Sequence, residues 1–226
     1  MAVRAEKLVA KSRHLGRSFH ADVFRMVDEP TCWVLMVGGS GQSAAEYEAR
    51  SSTVVPVFDD ELSVLEREGH RLGFIFLTAP FDISFEDVAK DEVTNLRWSH
   101  HLQEDLLAPL KIEAFYGLGY SGGATLVLSG LHLDRRCLGV SALGGDQFPA
   151  GIELNPGWAE RVLAIYNLDD SVFRSNRAVL TELVEGEFVR VLRQKPGGHS
   201  LSDYIANGSW AGVLRRASRL ASKRSV

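Results

Sequence analysis

What most constrains this chain is an alternation. Short apolar runs closed by glycine or proline recur along it, separated by segments of helical period. The runs are Trp33–Val37, Leu72–Leu77, Ile112–Tyr116, Cys137–Val140, Val162–Tyr166 and Phe188–Leu192. A run that is apolar at consecutive positions predicts a strand covered on both faces. Helical period appears over Asp59–Glu68, Asn95–Leu110, Ser175–Val184 and Val213–Ala221. Strands alternating with such helices imply right-handed crossovers and a mostly parallel sheet. The first two segments, Lys7–Leu15 and Ser18–Met26, have no helix between them and predict an antiparallel hairpin at the sheet edge. The expected fold is α/β: a three-layer α/β/α sandwich on a mostly parallel, eight-stranded sheet, as a single domain over residues 1–226.

Composition narrows the class. The chain is 45% hydrophobic and 24% charged with a net charge of −4, which excludes disorder, coiled coil and a general affinity for nucleic acid. No apolar run reaches the roughly 18–20 residues of a membrane span, and Met1–Lys7 has no apolar signal core. Cys32 and Cys137 lie in or beside apolar runs and are too few for a disulfide framework, so a cytoplasmic protein is expected. The basic end, Arg215 to Arg224, reads as a solvated helix. His100 and His101 point about 100° apart on a helix, so surface or capping roles are expected of them. No spacing suggests a metal site, and no cofactor is expected.

In parallel sheets, chemistry collects at the carboxyl ends of the strands. After Ile112–Tyr116 comes Gly117-Leu118-Gly119-Tyr120-Ser121-Gly122-Gly123, then an apolar helical start. Gly119-x-Ser121-x-Gly123 is the pattern of a sharp strand-to-helix turn that lifts a serine hydroxyl above the sheet. Such a nucleophile needs a base, and the base an orienting acid. Val162–Tyr166 ends in Asn167-Leu168-Asp169-Asp170, and Phe188–Leu192 in Gly197-Gly198-His199. Glycines after Trp33–Val37, in Gly38-Gly39-Ser40-Gly41, suit backbone amides turned toward an oxyanion. Ser40 and Gly122 are the candidate donors. A helix cap is the competing role for either aspartate.

These segments resemble the α/β-hydrolase family across roughly residues 7–220. The resemblance implies that Ser121 attacks an acyl carbonyl, His199 takes its proton, and an aspartate after strand seven holds the imidazole. Counting from the strand end selects Asp170 as that acid and counting back from Val172 selects Asp169; Asp170 is the expected acid and Asp169 the alternative. Two departures stand out: Gly38-Gly39 where many members have His-Gly, and Asn167 where a glycine is usual. Asp146 also follows a strand end and is a fallback acid. The short stretch Gly144–Arg161 leaves little room for a cap, so an open site for a small or exposed acyl substrate is expected; esters, thioesters, amides and peptides share this machinery, and the resemblance to small capless esterases implies a carboxylic ester. Phe81, Phe148 and Pro149 are expected pocket walls by topology. A homodimer stays open.

Two other readings remain. Gly117-x-Gly119-x-x-Gly122, and Gly39-x-Gly41-x-x-Ala44 with Asp59 downstream, fit a dinucleotide-binding pattern and hence an NAD(P)-dependent oxidoreductase. A non-catalytic binding protein on the hydrolase fold is the other.

Overall fold

The computed structural model describes residues 4–39, 63–77, 85–145 and 148–224. Among the described residues, the two hairpin segments and the six apolar runs form one eight-stranded sheet: β1 (Arg4–Lys11), β2 (Ser18–Arg25), β3 (Cys32–Val37), β4 (Leu72–Leu77), β5 (Phe115–Tyr120), β6 (Cys137–Leu143), β7 (Val162–Asn167) and β8 (Arg190–Lys195). Their spatial order is β1-β2-β4-β3-β5-β6-β7-β8. β1 and β2 form the expected edge hairpin, β2 runs antiparallel to β4, and every later pairing is parallel. This antiparallel entry and order are not those of a doubly wound dinucleotide-binding sheet.

All six residues of β3 are buried because they alternate between two cores. Trp33, Leu35 and Val37 join one apolar cluster, while Cys32, Val34 and Met36 join the other. The first cluster is closed by α1 (Phe85–Lys90), α2 (Glu92–His100) with a π-helical continuation at His101–Leu107, α3 (Gly123–Leu133) and α4 (Ser171–Glu185). The second is closed by α5 (Leu201–Ala206) and by α6 (Ser209–Arg224), which contributes Trp210, Val213, Leu214 and Ala217. The fold is thus the expected three-layer α/β/α sandwich. Among the described residues, no helix is long and apolar enough to cross a membrane.

Two strands sit downstream of the runs that announced them. Ile112 is buried, yet its N–H bonds to the Leu107 carbonyl and finishes the helical segment. β5 therefore starts at Phe115 and includes Gly117 and Gly119. Phe188 likewise closes α4 through its N–H to Leu183, so β8 starts at Arg190. Of the expected Asp59–Glu68 helix, residues 63–67 are helical and residues 59–62 lie outside the described residues.

His101 departs from the expected surface or capping role. It is buried, with its ring edge-on to Phe19 at 4.6 Å and Nδ1 3.4 Å from Asp105 one turn on. Asp105 also accepts from Ser12 Oγ at 2.6 Å and from Arg13 Nε at 3.2 Å, so it ties the β1–β2 turn to the helical layer. Burial pushes the Asp105 pKa up. The hydrogen bonds from Ser12, Arg13, His14 and His101 outweigh this and hold it at about 2, against an ordinary 3.8. A depressed carboxylate stabilises the fold above its unfolded pKa, and that contribution is lost as pH falls from about 4 to about 2. Asp105→Asn is expected to cost about 2 kcal/mol at pH 7, with the difference shrinking toward pH 2. Urea unfolding at both pH values checks this; a gap equal at both would contradict it.

Candidate active site

The site forms where β5 gives way to α3. Ser121 is held at φ 51°, a conformation that few non-glycine residues adopt. Its N–H bonds to the Leu143 carbonyl at 2.8 Å, and its own carbonyl accepts from Ala124 N–H at 2.9 Å. The flanking glycines are required by proximity. A Cβ on Gly119 would lie 2.4 Å from Ala124 Cα, and one on Gly123 would lie 2.2 Å from the Gly38 carbonyl oxygen. The turn is therefore wedged between its own helix and the end of β3. The first dinucleotide pattern, Gly117-x-Gly119-x-x-Gly122, is thus this serine turn, while Gly41, Ala44 and Asp59 of the second lie outside the described residues.

His199 Nε2 lies 3.0 Å from Ser121 Oγ, and His199 Nδ1 lies 3.0 Å from both carboxylate oxygens of Asp170. The carboxylate only accepts, so Nδ1 carries the proton and Nε2 is left to accept from the serine. The Asp170 side chain is fully buried, whereas His199 is 27% exposed, so the chain of contacts runs from the interior toward a reachable hydroxyl. Asp170 is also the N-cap of α4, accepting from Val172 N–H at 2.8 Å. One aspartate thus fills both roles that competed in the sequence, and α4 begins at Ser171, four residues before the predicted start. Asp169 is exposed, and its N–H bonds to the Gly197 carbonyl at 3.1 Å.

Further residues brace this series, and of them Tyr204, Asp203 and Asn207 carry no sequence signal. Tyr204, in α5, donates its hydroxyl to Asp170 Oδ2 at 2.5 Å. Tyr120 donates to the His199 carbonyl at 2.5 Å, with its ring 5.4 Å from the imidazole. Asn167 Nδ2 donates to the Gly198 carbonyl at 2.8 Å, which gives the departure from glycine a job: it holds the histidine loop. Asp203 accepts from Gly198 N–H at 3.0 Å, and Asn207 bridges Asn167 Oδ1 and the Pro196 carbonyl. Gly144, at φ 63°, packs against the pair; a Cβ there would come within 2.8 Å of His199 Cε1.

Gly122 caps the start of α3 beside Ser121, where the first amides of a helix have no partner within it. Ser40, the other candidate amide, lies outside the described residues, as do Asp59, Phe81 and Asp146. Pro149 is buried, and Phe148 packs beside Trp158 with ring centroids 6.4 Å apart. From 148 to 161 the regular structure is one turn of 3-10 helix at Trp158–Glu160.

No protein-family model and no curated protein matches the sequence. Solved structures do match. A ferulic acid esterase superposes with a TM-score of 0.69 at 12% identity, over 96% of this chain and 98% of its own. S-formylglutathione hydrolase from Staphylococcus aureus gives 0.64 at 12% identity, over 98% and 100%. Enterochelin esterase from Shigella flexneri gives 0.63 at 18% identity, over 96% of this chain but 57% of its own length. Likeness at these identities is a likeness of fold, and the chain has the α/β-hydrolase fold.

Proposed function

We propose that this chain is a serine hydrolase that cleaves small carboxylic esters through an acyl-enzyme. The observation that carries the reading is the hydrogen-bonded series Ser121 Oγ, His199 Nε2, His199 Nδ1 and Asp170, built on a serine at positive φ. His199 takes the hydroxyl proton as Ser121 Oγ attacks the acyl carbonyl. The Gly122 and Ser40 amides hold the oxyanion, helped by the positive end of α3. His199 then protonates the leaving alcohol, and water repeats the sequence on the acyl-serine. Asp170 steadies the imidazolium throughout.

The ester class is supported by the names of the similar structures, and small size by the short β6–β7 connection. Both cysteines are free and buried, with burial pushing their pKa values up to about 12, which suits a thiol-keeping cytoplasm. The test is a fluorophosphonate probe followed by peptide mass spectrometry. A single adduct on Ser121, absent from Ser121→Ala, is the expected result. Folded protein that stays unlabelled would overturn the proposal in favour of a non-catalytic binding protein, and label that persists in Ser121→Ala would overturn it by placing the reactive nucleophile elsewhere.

A further inference from the structure

The series from serine to carboxylate does not end at Asp170. Tyr204 is completely buried in the second apolar cluster, yet its hydroxyl meets two polar partners. It donates to Asp170 Oδ2 at 2.5 Å and accepts from Asn167 N–H at 3.3 Å. Burial first, and then the carboxylate beside it, raise the Tyr204 pKa, so the phenol keeps its proton and remains a donor. Each carboxylate oxygen is thereby shared: Oδ1 between His199 and Val172 N–H, Oδ2 between His199 and Tyr204. Besides His199, the ionisable side chains facing the pair among the described residues are Tyr120 from β5, Tyr204 from α5, and Asp203 acting through Gly198 N–H.

We infer that Tyr204 is a positioning residue for the hydrolytic reaction. Its hydroxyl locks the rotation of the Asp170 carboxylate and draws charge from Oδ2, so less of that charge faces the imidazole. Without that donor the carboxylate can rotate, and its charge turns wholly toward the imidazole. The imidazole then protonates at higher pH, and a protonated imidazole cannot accept from Ser121.

This rests on the hydrolase reading, so the test has an arm independent of turnover. Tyr204→Phe keeps the ring and removes the hydroxyl. The expected kinetic result is a kcat lower by about tenfold, the worth of one hydrogen bond to a charged group, with KM within about twofold. The acid limb of the kcat/KM profile moves to higher pH. NMR titration of the His199 imidazole in the folded variant moves the same way. Ile205→Ala, which thins the packing of α5 and keeps the hydroxyl, is expected to leave the limb and the titration in place.

A superimposable pH profile and an unmoved titration in Tyr204→Phe would overturn the inference. An equal displacement in Ile205→Ala would overturn it too, by assigning the effect to packing. If Ser121→Ala kept full turnover, the hydrolase reading would fall, while the His199 titration would still judge Tyr204.

Discussion

Ser121→Ala and His199→Ala are each expected to lower turnover of a short p-nitrophenyl ester by on the order of 10⁴ to 10⁶. Members of a hydrogen-bonded nucleophile–base pair act as a unit, so the double variant should be hardly worse than either single one. The residue of activity over water would come from oxyanion donors and binding alone. Folding should survive the serine change, because alanine meets the same positive φ that serine already tolerates. The histidine change is less benign, since it strips a partner from the buried Asp170 carboxylate. His199→Gln, whose amide can still donate to Asp170, provides a second variant that separates lost chemistry from lost stability. Initial rates and thermal unfolding measured on the same preparations decide the matter. A folded variant with most of its turnover would show that the hydroxyl and imidazole 3.0 Å apart are not the reacting pair.

The sheet was legible because burial on both faces leaves a contiguous signal. β3, β4 and β7 were marked to within a residue or so by their apolar runs. β5 and β8 start later than their apolar runs because the buried Ile112 and the half-buried Phe188 close helices instead, and an apolar residue alone does not say which element it ends. α4 began early because its cap is a carboxylate with a second role. Ser121, Asp170 and His199 could be singled out because each follows a strand end. Tyr204 could not, since its bond to Asp170 spans 34 residues and depends on how α5 folds back under the β7 end. The burial of His101 is hidden from the sequence for a related reason: its enclosure comes from Phe19 in the distant hairpin. Its i+4 neighbour Asp105 was the available hint.

The separation of the two adjacent aspartates should be as large as any in the molecule. Asp170→Asn is expected to lower kcat by about 10⁴, and Asp169→Asn to leave it within about twofold. The difference lies in what each carboxylate meets. Asp170 receives only donors: Val172 N–H on one oxygen, Tyr204 O–H on the other, and His199 Nδ1 on both. An asparagine must put its NH₂ where one of those oxygens stood, so a donor would face a donor in either orientation. The imidazole can relieve that clash by moving its proton from Nδ1 to Nε2, but Nε2 then faces Ser121 as a donor and cannot take the hydroxyl proton. The loss is therefore in the chemical step and should appear in kcat with little change in KM. Asp169 holds the histidine loop through its backbone N–H to the Gly197 carbonyl, a bond that Asp169→Asn keeps. Steady-state kinetics on the two variants, with probe labelling rates as a second readout, measure the contrast. Equal losses in the two would mean that the carboxylate acts through the fold of the β7–α4 turn, and the orienting role would have to leave Asp170.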